Sequence, residues 1–205
     1  MTRLILTRHG HVEGIDPERF RGRIDLELTP QGVAEAERLG SRVAKLWTPN
    51  AIFCSPLKRC VVTAEKIAAA SGVPKQPLDA LHDIDYGAWQ FQTHSDMREK
   101  NPGLYDAWFS TPERVRFPGG ESLQDLAART ADFLRQILAN SEGRTVVAVA
   151  HDSVNRVLLS QILGLPLAAY WRFAQQPCCI NEIHWTGQSV RVLRINDTSH
   201  LEDLD

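Results

Sequence analysis

The chain has 205 residues, the length of one ordinary domain, and 25 acids against 23 bases leave a net charge of −2. So near a balance excludes a nucleic-acid binder or membrane-surface protein that works through bulk charge. With 43% hydrophobic and 23% charged residues the composition is globular rather than disordered, and no apolar run approaches the ~18 residues of a membrane span.

In chain order, Arg3–Thr7 reads as a short buried strand that runs directly into Arg8-His9-Gly10. Thr29-Pro30 is an N-cap with proline at the first helical position, and Val33, Ala36, Leu39, Val43 and Leu46 follow at helical spacing. Ala51–Cys54 is a second short strand, followed by Ser55-Pro56 and a helix from Leu57 to Ala70 that Ser71-Gly72 closes. Between Trp89 and Pro118 the pattern allows only two short helices, Met97–Lys100 and Tyr105–Phe109, so a small lid-like insertion is expected around 90–118 of a single domain spanning 1–205. Ser122 with Asp125 resembles a capping box for a helix over Leu126–Leu138. Thr145–Ala150 is a third buried strand, met by His151 and a helix over Val154–Leu163. Ile180–Trp185 and Val190–Ile195 flank Gly187-Gln188 as a hairpin.

Strands alternating with helices predict an α/β fold of three layers, a mainly parallel central sheet with helices on both faces. In such sheets ligands sit beyond the carboxyl ends of the strands. Those ends carry Arg8-His9, Ser55 to Arg59, and His151. A planar guanidinium donates two parallel hydrogen bonds to a phosphate, so two arginines from different elements can clamp one phosphoryl group. A neutral imidazole is a competent nucleophile at phosphorus, and a second histidine can donate to the same group. Arg19, Arg21 and Arg23 alternate in the loop before the first long helix, either as a solvated loop balanced by Glu13, Asp16, Glu18 and Asp25 or as a contact to a second anionic group on the substrate. The four cysteines, Cys54, Cys60, Cys178 and Cys179, lack zinc-knuckle spacing and read as reduced core thiols. Leu4-Ile5-Leu6 before Arg8 is too short for a signal segment, which makes a cytoplasmic protein the expectation.

Leu6-Thr7-Arg8-His9-Gly10 resembles the Arg-His-Gly signature of the histidine phosphatase superfamily, in its phosphoglycerate-mutase-like branch. The resemblance continues in order through Gly22, Asp25, Leu28-Thr29 and Gly32, then Ser55-Pro56-Leu57-Lys58-Arg59 with Thr63-Ala64. It runs on through Leu81–Trp89, Pro118–Ser122, Val149-Ala150-His151 to Arg156, and Asn196-Asp197 with His200-Leu201. It implies a phosphohistidine formed on His9, a phosphate pocket of Arg8, Arg59 and His151, Asp83 as proton donor to the leaving oxygen with Asp85 and Asp152 as the alternatives in reach by sequence, Arg21 in the substrate-contact stretch, and no metal or other cofactor. The implied partner is a small phosphorylated metabolite, with no nucleic acid or membrane, and the chain is a monomer or homodimer. Sugar phosphates, phosphoglycerate derivatives and α-ribazole phosphate all fit as substrate.

The sequence departs from the family pattern at His11, where relatives carry Glu or Gln, at Ile15 in place of a pocket asparagine, and at Asp83 in place of glutamate. It departs again at Gln90-Phe91 in place of Glu-Gly, and at Asp152 in place of glycine. These leave the nucleophile, both arginines and the second histidine untouched and bear on substrate and rate. Three other readings use the same residues. His9, His11, His82-Asp83 and His151-Asp152 could ligate one or two cations of a metal-dependent hydrolase. The cluster could bind a phosphorylated ligand without turnover. A mutase would return the phosphoryl group to the substrate, although the middle segment is short for one.

Overall fold

The computed structural model describes residues 1–187, 189–202 and 204. Its elements in chain order are β1 (Thr2–Arg8), α1 (Pro30–Leu46), β2 (Ala51–Cys54), α2 (Lys58–Ser71), β3 (Lys75–Pro77), α3 (His94–Lys100), α4 (Pro102–Ser110), α5 (Leu123–Asn140), β4 (Thr145–Ala150), α6 (Asp152–Leu163), β5 (Ile180–Thr186) and β6 (Ser189–Asp197). The sheet runs β3-β2-β4-β1-β5-β6. The pairs β1/β4, β2/β4 and β2/β3 are parallel, while β5 is antiparallel to both β1 and β6, so the expected three-layer α/β fold with a mainly parallel sheet is the one found.

Alternate side chains of the central strands feed two cores, as a sheet covered on both faces requires. Leu4, Leu6, Val146 and Ala148 pack against α5 and α6 through Phe133, Ile137, Val157 and Leu158. Ile5, Val147, Val149 and Ile52 pack on the other face against Ala36, Leu39, Val43, Ala64 and Ile67 of α1 and α2. The cap signals set the helix ends. The Thr29 hydroxyl accepts from the Gly32 N–H, Gly72 ends α2 in the left-handed region at φ 73°, and Ser122 and Asp125 form the expected capping box. That box starts α5 at Leu123, a turn before the apolar period shows it, and α6 likewise starts at Asp152 rather than Val154. The four cysteines are free and buried. Residues β5 and β6 pair antiparallel as the hairpin reading expected; Gln188 of its turn lies outside the described residues. No helix among the described residues is long and apolar enough to cross a membrane.

Candidate active site

The carboxyl ends of β1, β2 and β4 bring Arg8-His9, Arg59 and His151 together, and the 81–89 segment adds Asp83. His9 is 1% exposed, and its N–H donates to the Ala150 carbonyl at 3.1 Å, which locks the end of β1 to the end of β4. The turn that follows has no room for a side chain: a Cβ on Gly10 would stand 2.3 Å from the Gly32 carbonyl oxygen. His9 Nδ1 lies 2.7 Å from the Gly10 carbonyl. A carbonyl only accepts, so Nδ1 carries the hydrogen and Nε2 keeps its lone pair. Burial first, then the charges of Arg59 and Arg8, hold the His9 imidazole well below its ordinary value of 6.5. The ring is therefore neutral at neutral pH, as a nucleophile must be.

Arg59 is fully buried and ringed by acceptors. Its Nε donates to His151 Nδ1 at 3.2 Å, Nη1 to the Ile24 carbonyl at 2.8 Å, and Nη2 to the Gly22 carbonyl at 2.7 Å and Asp83 Oδ2 at 3.1 Å. Because His151 Nδ1 accepts, its hydrogen sits on Nε2, where it can be donated to a phosphoryl oxygen. Burial and the Arg59 charge hold His151 well below 6.5 as well, and its ring centroid is 5.2 Å from that of His9. Asp83 also accepts from the Ser153 hydroxyl and, at 2.9 Å, from the Ile84 N–H. Its carboxylate is thus held from three sides beside His9.

Arg8 is built differently. One Nη donates to the Gln175 carbonyl at 2.6 Å, Nε is buried with no partner, and no carboxylate among the described residues pairs with it. A desolvated guanidinium with an orphaned donor is a place for an anion, because leaving it so is costly.

The cleft above His9 encloses about 420 Å³ including its open mouth. Asp83, Arg21, Arg19, Asp152 and Ser153 line it with His9, and the aromatic wall includes Phe20, Tyr86 and Trp108. His94 stacks on Phe20 with centroids 4.3 Å apart. Of the three loop arginines, Arg23 is taken by Glu121 at 3.0 Å, and Arg19 donates to the Phe91 carbonyl while stacking over the Phe91 ring. Arg21 donates to the Gly14 carbonyl, pairs with no carboxylate among the described residues, and is held below its ordinary value by burial and by the charge of Arg8. Arg23 and the loop acids are exposed, whereas Arg19 and Arg21 are half-buried against the cleft and pair with none of those acids.

Other expected participants stand apart. His11 Nδ1 is 3.0 Å from the Thr29 hydroxyl, Asp85 accepts from the Gly87 N–H, and neither lines the cleft. Asp152 does line it, but its Oδ1 is 2.6 Å from Arg156 Nε one helical turn on. Among the described residues no group of three His, Cys, Asp or Glu side chains is placed to hold a metal ion, so the set His9, His11, His82, Asp83, His151 and Asp152 does not converge. The turn after Gly10 is the reason: it carries His11 back onto α1. Sequence reasoning missed Ser153 and Gln175. Ser153, two residues beyond His151, was findable from the strand-end rule, whereas Gln175 reaches Arg8 across 167 residues with no local signal.

The family model described as histidine phosphatase superfamily (branch 1) matches residues 4–198. Phosphoserine phosphatase 1 of Hydrogenobacter thermophilus is 31% identical over 201 residues, covering 98% of this chain and 95% of that protein. A probable phosphoglycerate mutase, GpmB of Salmonella paratyphi C, is 30% identical over 98% of this chain and 96% of its own. The solved structure of Bacillus stearothermophilus YhfR superposes with a TM-score of 0.92 at 29% identity, over 98% of this chain and all of that one.

Proposed function

Since the chain belongs to the histidine phosphatase superfamily, we propose that it hydrolyses the phosphomonoester of a small metabolite through a phosphohistidine on His9, without a metal. The observation that carries this reading is the His9 tautomer: Nδ1–H held by Gly10, Nε2 bare, beside a guanidinium with a free donor. Nε2 attacks phosphorus and the P–O ester bond breaks. Arg8, the Nε2–H of His151 and Arg59 stabilise the charge that gathers on the phosphoryl oxygens. The leaving alkoxide takes a proton from Asp83, the carboxyl beside the nucleophile. For that role Asp83 must loosen from Arg59 and take up a proton, and a phosphomonoester arriving as its monoanion does both, drawing the guanidinium toward itself and passing its own proton to the carboxylate. Water, giving a proton back to Asp83, then attacks the phosphohistidine, releases inorganic phosphate and restores His9.

Arg21, in the cleft wall with no carboxylate partner among the described residues, supports a substrate that carries a second anionic group such as a carboxylate. The chain then works as one domain, with 90–118 supplying His94 and Trp108 to the cleft as its closing insertion. The relative named a probable mutase favours a second reading, return of the phosphoryl group to substrate. One experiment addresses both: brief reaction with ³²P-labelled substrate, an acid-sparing quench and peptide mapping, with products followed in parallel. Base-stable, acid-labile label on the peptide of Arg8-His9-Gly10 together with free phosphate is expected. Label on a serine or aspartate peptide overturns the mechanism, and an isomerised ester without free phosphate makes the enzyme a mutase.

A further inference from the structure

A cluster of neutral amides lies behind Arg8, in the part of the sheet where packing alone asks for aliphatic side chains. Asn155 and Asn181 are fully buried and Gln175 is 3% exposed. Gln175 Oε1 accepts from Asn155 Nδ2 at 3.0 Å and Asn181 Nδ2 at 2.9 Å, while Gln175 Nε2 donates to the Ala174 carbonyl at 2.7 Å and to Asn181 Oδ1 at 3.0 Å. Asn181 Nδ2 also donates to the Leu6 carbonyl at 3.0 Å, directly across from it in the β1/β5 register. Asn155 is one helical turn beyond His151, and its N–H donates to the His151 carbonyl. The cluster therefore ties β1, β5 and α6 to one point, the backbone of Gln175, whose carbonyl receives the Arg8 guanidinium. The next residues close the clamp, because the Cys178 N–H lies within reach of the Arg8 and His9 carbonyls at 3.2 and 3.3 Å.

Asparagine disfavours strands, and burying three amides costs desolvation that their hydrogen bonds offset except at Asn155 Oδ1, a buried acceptor without a partner among the described residues. Asn181 Oδ1 also accepts from the Asn196 N–H at 3.0 Å, so part of the cluster fastens β6, but its remaining bonds converge on Gln175. What they provide is rigidity, a fixed carbonyl for a guanidinium that has no carboxylate to orient it. We propose that Gln175, Asn181 and Asn155 are positioning residues that fix the Arg8 guanidinium beside His9 for a bound phosphoryl group. This rests on the phosphatase reading only for its effect on rate; the effect on anion binding is independent of it.

The test is a double-mutant cycle between Asn181→Leu and Arg8→Ala, read by calorimetric binding of inorganic phosphate and by turnover of p-nitrophenyl phosphate. In the natural background Asn181→Leu is expected to weaken phosphate binding and lower kcat by about 10–100-fold, the range found when the partner that orients a functional group is removed. In the Arg8→Ala background the same change is expected to cost nothing beyond about twofold, because the residue it fixes is gone. Equal losses in both backgrounds, or none in either, overturn the proposal. Gln175→Met, which keeps the backbone carbonyl and removes the side-chain amide, repeats the cycle if Asn181→Leu does not fold. If the natural protein turns over no phosphomonoester, the reading of its function fails, and the binding arm still decides this one.

Discussion

The pocket around His9 is held from two sides, and the two are built from different chemistry. On one side Arg59, Asp83, Ser153 and His151 form a network with ionic members, in which Arg59 faces an acceptor along Nε and both Nη groups. On the other, Arg8 meets a single backbone carbonyl supported by neutral amides, and keeps Nε free. The ionic side neutralises its own cation before any ligand arrives; the amide side leaves its cation open. The difference separates stability from binding. Removing a partner from a buried ion pair exposes the other charge, whereas removing a bare buried charge relieves a desolvation cost.

The largest break in this comparison is expected at Asp83, where Asp83→Asn should slow hydrolysis of alkyl phosphates by about 10²–10⁴-fold, the range for loss of a general acid. p-Nitrophenyl phosphate should be spared much of that, since its leaving group departs without a proton. Equal loss on both substrates in a steady-state assay would mean that Asp83 only positions Arg59. Next come the arginines: Arg8→Ala and Arg59→Ala should each cost on the order of 10²–10³ in turnover. Urea unfolding should tell them apart, with Arg59→Ala less stable by roughly 3–5 kcal/mol and Arg8→Ala unchanged or more stable. Matching stability losses would erase the distinction between the two sides.

A smaller effect is expected at Arg21. Arg21→Gln should raise KM about tenfold for phosphomonoesters that carry a carboxylate, and leave p-nitrophenyl phosphate within about twofold, on the energy scale of a single charge-assisted hydrogen bond. A panel of paired substrates reads this, and a uniform loss would assign Arg21 to the transferred phosphoryl group instead. The smallest is a slope. His9 and His151 stay neutral in the folded chain below 6.5, while in the unfolded chain they take up protons there. Their contribution to stability is thus complete above pH 6.5 and is lost as pH falls below it, at up to roughly 1.4 kcal/mol per pH unit for each. His151→Ala should flatten the acid limb of stability against pH by that amount, and Asn181→Leu, which removes no titrating group, should leave the slope unchanged. Urea titrations between pH 5 and 8 measure both.

Much of the charged side, and the position of Arg8 itself, was legible in the sequence. Arg8, His9 and His151 stand at the ends of apolar strands whose patterns are local, and Thr29-Pro30, Gly72 and Ser122–Asp125 are cap signals that need only neighbouring residues. The amide side was not, because Gln175 sits in a segment without periodicity and meets Arg8 only once β5 has docked. Asn181 at the start of the Ile180–Thr186 strand, beside Glu182, gave no sign of its own that it was part of an amide cluster. The three-residue strand β3 (Lys75–Pro77) escaped for a different reason: it is polar, at the sheet edge, and held by pairing with β2 rather than by burial. The resemblance had singled out Arg21 among the loop arginines, but nothing local showed that Arg23 is paired instead with Glu121, which lies 98 residues away.

Strand β1, which leads into His9, is flanked by β4 and β5, and Arg3 faces Thr145 across a separation of 142 residues. Neither neighbour is available until most of the chain has been made, so the cost of closing a very long loop precedes any reward from pairing. A growing chain therefore carries Arg8-His9 for most of its synthesis without the framework that gives the imidazole its tautomer. A fragment that stops short of β4 leaves β1 without either neighbour, and the first turnover from a newly made molecule reports that its central sheet has closed.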